Sequence, residues 1–394
     1  MTPLEGLRVV DLSHAISGPT CTNMLAQMGA EVIKIEPPGR GDGFRHYTEH
    51  GGEPMLSVPF ASINAGKRSI ALDLKRLEGQ RIARDLIARA DILVENFRPG
   101  VLARLGLDPA DLRAEHPRLI VVSITGFGQQ GPLAHYGAYD HIAQAMSGIA
   151  LLNATEAGPL KIGMPIIDSF TGYLAVIALM AALRTRDATG EGAHLDIAML
   201  DAALKLVNTT VSIHSYTGQT PGGTGNRGFR LVATSEFYPT GEGWIALGAN
   251  EQPQVEALLT VLGRPEMIAD PRFATHQARV EHYDAVRAWL TETLGHWRAE
   301  ELEARLTEKR VPAAMLREVG QIATHPHLAA RGTLHPVELP GWDRDLAVVG
   351  PGFETEPHAP SHVPTLGGDT DAVLGDLGLD AGTIAALRKE GVVA

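Results

Sequence analysis

The sequence predicts a protein of the α/β class with two domains, and three observations support this prediction. A length of 394 residues suffices for one large domain or two ordinary ones. Hydrophobic residues make up 44% of the chain and charged residues 20%, a balance that supplies apolar cores and is not that of a disordered protein. Short β-branched apolar segments alternate with amphipathic segments over roughly the first 130 residues. Such alternation indicates βαβ units and a parallel sheet.

The apolar pattern orders the elements of this sheet along the first third of the chain. Five strands are predicted at Leu7–Leu12, Glu31–Ile35, Ser69–Leu74, Ile92–Glu95 and Leu119–Ile124. Helices are predicted between them at Pro19–Met28, which Gly29 closes, at Leu77–Ala90 and at Pro109–Glu115.

The rest of the chain changes character at a linker. A mostly helical pattern over Ile142–Leu183 is followed by a brief strand at Ala193–Ile197 and a long helix beginning near Met199. The composition of Thr217–Gly225, rich in Gly, Thr and Pro, is typical of a linker. Beyond it we predict strands at Ser235–Tyr238 and Trp244–Leu247, helices at Gln254–Leu262, Tyr283–Leu294, Ala299–Lys309 and Ala381–Glu390, and an irregular stretch at His325–Gly341.

Charge and composition exclude several classes of protein. The net charge is −12 without a large basic patch, which argues against nucleic-acid and anionic-membrane partners. The longest aliphatic run, Leu174–Leu183, has 10 residues, far fewer than the roughly 20 that span a bilayer, and we predict a core helix there. The N-terminus lacks the pattern of an export signal, and we predict a cytoplasmic protein. The single cysteine, Cys21, excludes an internal disulfide, and the 16 histidines lack the spacing of a metal site.

Gly223, Gly225 and Gly228 form a literal GxGxxG pattern. A dinucleotide site needs a strand directly before this pattern and a helix that opens from it. Here a linker precedes the pattern, and Phe229–Tyr238 is predicted to be extended. We therefore interpret the glycines as a flexible loop that covers a ligand.

Asp168 is the most informative acidic residue of the chain. It directly precedes the apolar helix predicted over Phe170–Leu183, where free backbone N–H groups and the helix dipole favour a carboxylate. An N-terminal helix cap is one interpretation of this placement. A carboxylate kept ionised among apolar neighbours is also a good nucleophile toward an activated acyl group. The spacing does not decide between the two.

Basic residues recur beside the predicted strand ends. Lys67, Arg68 and Lys75 lie around the third strand, and Arg98 and Arg104 follow the fourth. In an open parallel sheet, ligands bind beyond the carboxyl ends of the strands, so these side chains are candidates for phosphate contacts. Isolated surface charges are the alternative.

Several motifs, in the same order along nearly the whole chain, resemble those of the class III coenzyme A transferases, the family of formyl-CoA transferase and carnitine CoA-transferase. They are Leu4–Ser13, Gly18-Pro19 with Leu25–Glu36, Asn64–Lys75, Glu95–Gly100, Ser123–Pro132, and Pro364–Gly367 followed by Ile384–Gly391. Each motif is short, but their number and order make the match specific.

The resemblance implies a covalent mechanism and a set of site residues. In such enzymes an aspartate, matched here by Asp168, attacks an acyl-CoA thioester and passes through an aspartyl-CoA thioester before a carboxylic acid acceptor takes the CoA. The acyl-CoA is a substrate, and no permanently bound cofactor is implied. The other positions implied are His14, Ala15 and Ile16 in the pocket after the first strand, Lys75, Asn96, Phe97, Arg98 and Arg104 on the CoA nucleotide, Tyr139 and Asp140 near the acyl end, and a covering loop formed by Gly222, Gly223, Gly225 and Gly228.

The resemblance also implies the domain arrangement. A large Rossmann-like domain is expected from residues 1–216 and 342–394, with linkers at 217–225 and 325–341 and a smaller inserted α+β domain at 226–324. Two chains are expected to interlink as a homodimer.

Two departures from formyl-CoA transferase bear on the substrate. Ile16 stands where that enzyme has a glutamine, and Gly137 stands where it has a lysine. The acyl group is therefore expected to differ from oxalate and formate, with succinyl-CoA or another short dicarboxylic acyl-CoA as the donor.

Two other functions remain as alternatives. α-Methylacyl-CoA racemases resemble the chain too, but at their catalytic histidine this chain has Tyr139, and a tyrosine with a pKa near 10 is a poor base for that reaction. His141 is displaced by two positions. The second alternative is a non-catalytic CoA-binding protein, against which the presence of Asp168 counts.

Overall fold

The chain forms two compact units in a computed structural model that describes residues 2–47, 55–223, 225, 227, 231–353 and 362–394. The first unit comprises Met1–Ala150, Lys161–Pro221 and Ala329–Ala394, and the second comprises Leu151–Leu160 and Gly222–Leu328. The inserted domain predicted at 226–324 falls inside the second unit. The short segment Leu151–Leu160 also belongs to that unit, which the sequence did not indicate.

The described residues contain the following elements. The strands are β1 (Arg8–Asp11), β2 (Glu31–Glu36), β3 (Arg68–Ala71), β4 (Ile92–Glu95), β5 (Ile120–Thr125), β6 (His194–Ala198), β7 (Phe237–Pro239), β8 (Trp244–Leu247), β9 (Ala313–Met315), β10 (Leu334–Val337) and β11 (Leu346–Val349). The α-helices are α1 (Ser17–Gln27), α2 (Val58–Asn64), α3 (Leu77–Ile87), α4 (Val101–Arg104), α5 (Pro109–Glu115), α6 (Asp140–Met146), α7 (Ile149–Leu152), α8 (Ile166–Thr189), α9 (Met199–Leu206), α10 (Asn208–Thr217), α11 (Gln252–Val261), α12 (His276–Glu281), α13 (Tyr283–Leu294), α14 (Ala299–Glu308), α15 (Val319–Ala323), α16 (Pro326–Ala330), α17 (Thr370–Asp376) and α18 (Ala381–Lys389). Short 3-10 helices lie at Gly43–His46 and Pro265–Ala269.

A six-stranded parallel sheet organises the first unit. Its strand order is β3-β2-β1-β4-β5-β6, and every neighbouring pair in it is parallel. This is the order of doubly wound dinucleotide-binding folds, which reverses between β1 and β4. The α/β class and the parallel sheet predicted from the sequence are confirmed.

Both faces of this sheet are buried, which explains why the strands are nearly continuous apolar runs. On one face Val9, Ile92 and Val94 pack against α1 and α8. On the other face Val10 and Leu93 pack against α3, α4, α5 and the C-terminal helices α17 and α18. The helices that follow β1 and β4 therefore cover opposite faces of the sheet.

Helix α8 is apolar enough to cross a membrane by length and composition alone, with a mean hydropathy of 1.9 over 18 residues. Its residues Ala175 and Leu179 are fully buried in the core that covers the sheet. Tyr173 and Ile177 are exposed on its other side. The packing supports the sequence-based interpretation of a core helix.

The second unit carries a three-stranded antiparallel sheet of order β7-β8-β9. Tyr238 and Ile245 of this sheet are fully buried against Leu258, Leu290 and Leu302 of three helices. In the first unit β10 and β11 form an antiparallel pair against α2.

Three segments differ from their predicted structure. The predicted helical stretch Ile142–Leu183 is interrupted between α7 and α8. The long helix predicted from Met199 divides at Val207, where Asn208 and two threonines, poor helix formers, follow. The stretch His325–Gly341, predicted to be irregular, contains α16 and β10. Pro336 obscured the β10 pattern, and proline is tolerated in strands at edges such as this two-stranded pair.

Candidate active site

The candidate site lies in the first unit, where the strand order of the large sheet reverses. The loops that follow β1 and β4 diverge there, which leaves the crevice in which open α/β sheets bind ligands. Asn96 connects the two loops: its Oδ1 accepts from the backbone N–H of His14 at 2.8 Å, and its Nδ2 donates to the carbonyl of His14 at 2.7 Å. The His14 ring also packs against Phe97, with centroids 5.5 Å apart. The structure therefore brings together three residues that the family resemblance placed in the site.

The loop after β1 is held in an unusual backbone conformation. Ala15 has a φ of 62°, in the left-handed region that side chains other than glycine rarely adopt. Its N–H donates to Oδ1 of Asp42 at 3.1 Å, and the same oxygen accepts from the N–H of Phe44 at 2.9 Å. Asp42 thus holds the loop after β1 in this conformation.

Buried ion pairs support this loop. Lys34 lies 3.1 Å from Oδ2 of Asp42 and donates to the carbonyl of Ser13 at 2.6 Å. Lys67 lies 3.1 Å from Asp11. Burial alone raises the pKa of Asp11, but Lys67 and Lys34 together hold that pKa well below its usual range. Burial lowers the pKa of Lys67 to about 8 although Asp11 opposes it. Because Lys67 is fully buried beside Asp11, it is a structural cation that supports the loop after β1.

Asp168 is the third residue of α8, and its carboxylate does not cap that helix. Oδ2 of Asp140 accepts from the N–H groups of Ile167 at 2.7 Å and of Asp168 at 3.2 Å. Asp140, from another element, therefore takes the helix N–H groups that an N-cap would use. The capping interpretation of Asp168 is wrong, because α8 begins at Ile166, two residues before it.

The Asp168 carboxylate is instead held by one hydroxyl. Ser17 Oγ, at the start of α1, donates to Oδ1 of Asp168. Burial raises the pKa of Asp168 to about 6, Ser17 opposes this rise, and the negative charge of Asp140 adds to it. At neutral pH most of the group is ionised, and its basicity is higher than that of an ordinary aspartate.

Asp140 is fixed by residues on two further segments. Gln144, one turn later in α6, donates to Oδ1 of Asp140 and accepts from the N–H of Ile162 at 2.8 Å. Tyr139 is exposed and stacks on His141, with centroids 6.2 Å apart. The structure thus places Asp140 against the backbone beside Asp168 and Tyr139 at the surface.

The cations assigned to CoA are solvent-exposed side chains. The guanidinium of Arg98 lies against Gly137, where an added Cβ would come within 2.8 Å of Nη2. Because Gly137 has no side chain, it leaves room for the Arg98 guanidinium. Lys75 and Arg104 form no ion pair with the described residues. All three are available to phosphate groups.

An open cavity of about 340 Å³ adjoins the start of α8. Its lining is mostly apolar and includes Ile16, which directly precedes Ser17, together with Pro165 and Ser169, which flank Asp168 in the chain. Its polar side includes the amides Asn23 and Gln27. Among the described residues, no lysine, arginine or histidine lines it. Its chemistry suits an aliphatic chain.

The glycines of the predicted covering loop belong to the second unit. Gly223 packs tightly on the segment Leu151–Leu160, since a Cβ there would lie 2.7 Å from the carbonyl oxygen of Ala154. Gly222 has open space around it, and Gly225 has a φ of 57°. Gly228 lies outside the described residues.

Sequence reasoning missed Ser17, Asp42 and Glu95. Ser17 follows Ile16 directly, and Asp42 lies close after β2, but their contacts cross between elements that only the fold brings together. Burial raises the pKa of Glu95, at the end of β4, to about 7, and this carboxyl accepts from the N–H of Phe97 at 2.8 Å. In the described part of the chain, no cluster of His, Cys, Asp and Glu could hold a metal ion.

Comparisons with known proteins identify the family of the chain. A family model described as CoA-transferase family III matches residues 4–370. Acetyl-CoA:oxalate CoA-transferase of Acetobacter aceti is 37% identical over 353 residues, which cover 86% of this chain and 90% of that protein. Succinyl-CoA–D-citramalate CoA-transferase of Chloroflexus aurantiacus is 36% identical over 345 residues, 86% of this chain and 84% of that protein. The crystal structure of a CAIB/BAIF family protein from Brucella suis has a TM-score of 0.87 and 33% identity, covering 95% of this chain and 99% of that chain. These matches confirm the resemblance drawn from the motifs: the chain belongs to CoA-transferase family III and is an enzyme of that family.

Proposed function

We propose that this enzyme moves coenzyme A from an acyl-CoA donor to a carboxylic acid through covalent intermediates on Asp168. The observation that carries the proposal is the state of this carboxylate. It is largely buried, ionised at neutral pH with a pKa of about 6, and paired with no cation of the described residues. A carboxylate that is both ionised and basic is suited to nucleophilic attack on a thioester.

Two steps transfer the CoA from the donor to the enzyme. Oδ2 of Asp168 bonds to the thioester carbon, the carbon–sulfur bond breaks, and CoA leaves as a thiolate from a mixed anhydride. The thiolate then attacks Cγ of Asp168 and releases the donor acid. The acceptor carboxylate reverses both steps and departs as the new acyl-CoA.

The donor proposed is succinyl-CoA or another short dicarboxylic acyl-CoA. The Chloroflexus relative is named for succinyl-CoA. Arg98, Lys75 and Arg104 are the side chains proposed to hold the CoA phosphates, because charge-assisted contacts to phosphate favour Arg and Lys. The cavity beside α8 lacks a cation for a second carboxylate, so aliphatic acyl-CoA thioesters belong in the same substrate panel.

The proposal includes a cytoplasmic, interlinked homodimer without a permanent cofactor. A racemase would need a second proton-transfer group opposite Asp168. Tyr139 is turned to the surface, and the hydrogen-bond partners of Asp168 in the described residues do not include a histidine. A purely CoA-binding role would leave the raised pKa of Asp168 unused.

The test is to trap the intermediate. Enzyme incubated with acyl-CoA and then hydroxylamine should carry a hydroxamate at Asp168, located by peptide mass, and Asp168→Ala should lose both the label and the transfer of CoA. Asp187→Ala is the matched control, since Asp187 is an exposed acid at the far end of α8, about 28 Å along its axis. If Asp168→Ala kept a tenth of the transfer rate, the covalent mechanism would be wrong. A panel of acyl-CoA donors and acids, with product masses measured, identifies the substrates.

A further inference from the structure

The hydroxyl of Ser17 occupies a defined place beside the nucleophile. Ser17 is the first residue of α1 and only 4% exposed. Gly172, one turn after Asp168, lets α8 approach α1 so closely that a Cβ there would lie 2.6 Å from the Ser17 carbonyl oxygen. The helix contact therefore sets the position of Ser17 relative to Asp168.

Ser17 is also the only donor to this carboxylate among the described residues. The backbone N–H groups of Ile167 and Asp168, at the start of the same helix, donate to Asp140 instead. The Ser17 hydroxyl bonds to Oδ1 and leaves Oδ2 of Asp168 without a partner. The two oxygens of one carboxylate are thus made unequal by a single hydrogen bond.

We propose that the Ser17 hydroxyl is a further catalytic group, which orients Oδ2 of Asp168 for attack and stabilises the negative charge that develops on Oδ1. This inference rests on the nucleophilic role of Asp168 proposed above. Ser17 contacts a reacting atom at every stage, so its effect belongs to the chemical steps and not to the binding of substrate.

The charge on Oδ1 follows from the electron count of each step. When Oδ2 attacks the thioester, Oδ1 becomes the carbonyl oxygen of the anhydride. When the CoA thiolate then attacks Cγ, the carbonyl electron pair moves onto Oδ1, and collapse of this tetrahedral species breaks the bond from Cγ to Oδ2. A preorganised donor at the position of such an oxyanion is worth about 10²–10³ in rate. Ser17 supplies this hydrogen bond without giving up its proton.

The experiment compares Ser17→Ala with the unaltered enzyme. We expect kcat for CoA transfer to fall about 100-fold, with the KM for acyl-CoA changed less than twofold. The acid limb of the kcat profile should move to higher pH by about one unit, because a hydrogen bond that favours the ionised carboxylate is lost. Ser17→Cys keeps the volume with a weaker donor and should lie between the two enzymes.

Thr171→Val is the matched control, because it removes a buried hydroxyl of α8 that donates to the carbonyl of Ile167 and not to Asp168. It should leave the acid limb in place. A normal kcat and acid limb in Ser17→Ala, or in Ser17→Cys should the alanine variant not fold, would overturn the inference. So would an equal shift of the acid limb in Thr171→Val. Asp168→Ala separates the two proposals: if it stays inactive while Ser17 variants are normal, the nucleophile stands and the role of Ser17 falls.

Discussion

Replacing Asp168 by asparagine should stabilise the folded protein at neutral and alkaline pH. The folded-state pKa of about 6 lies above the ordinary value of 3.8, so the Asp168 carboxylate binds a proton more tightly in the folded state than in the unfolded chain. The stability that this proton supplies is complete below about pH 4 and is lost as the pH rises through 6. The difference between the two pKa values corresponds to about 3 kcal/mol in the free energy of unfolding, which the protein has lost above pH 7. Asparagine keeps an acceptor for Ser17 and carries no charge to bury.

Urea unfolding of both proteins between pH 4 and pH 8 measures this effect. The stability of Asp168→Asn should exceed that of the unaltered enzyme by about 2–3 kcal/mol at pH 8, and the two should converge near pH 4. Asp187→Asn, at an exposed acid of the same helix, should show no such divergence. A constant difference across this pH range, or a less stable Asp168→Asn at pH 8, would show that Asp168 is not held at a raised pKa and would remove the main support for its reactivity.

Three further predictions concern the helix contact, the CoA site and the assembly. Gly172→Ala should destabilise the protein by about 1–3 kcal/mol and lower kcat, because the added Cβ would lie 2.6 Å from the Ser17 carbonyl oxygen. The control Gly375→Ala, in a helix with open space around the residue, should be neutral or stabilising, and equal melting temperatures for the two variants would contradict this prediction. Arg104→Ala should raise the KM for CoA thioesters with little change toward the free acid, and an unchanged KM would make Arg104 a surface charge. The proposed interlinked homodimer should persist at nanomolar concentration in mass photometry, because separation of linked chains requires unfolding, whereas a simple dimer dissociates by mass action. A folded monomer at that concentration would exclude the interlinked arrangement.

The large sheet could be predicted from the sequence because its signal is local. Strand β4 is buried on both faces and is apolar except for its last residue, Glu95, and its predicted limits, Ile92–Glu95, are those of the structure. Strand β10 could not be found in this way, because it contains Pro336 and belongs to a sheet of two strands, both of which are edges. Local apolar pattern predicts an element when both of its faces are buried, and it fails when pairing at a sheet edge decides the structure.

The sequence brought some residues of the candidate site together but could not predict the contacts of Asp168. The proximity of His14 and Asn96 follows from strand order, because both residues follow strands that lie side by side where the sheet reverses. The hydrogen bond from Ser17 to Asp168 joins residues 151 positions apart in the chain. It depends on how closely α1 and α8 pack, which Gly172 permits. No local pattern carries that information.

The position of Asp168 at the start of α8 supports its proposed role as a nucleophile. A carboxylate that capped α8 would be stabilised by free N–H groups, which lowers both its pKa and its nucleophilicity. Here Asp140 occupies those groups, and its own negative charge adds to the effect of burial on Asp168. The fold thus places the Asp140 carboxylate on the N–H groups that would stabilise Asp168, and Asp168 accepts only from the Ser17 hydroxyl among the described residues. Burial of the charged carboxylate makes it more reactive and at the same time lowers the stability of the folded protein. The same arrangement therefore accounts for the proposed nucleophile and for the gain in stability expected when Asp168 loses its charge.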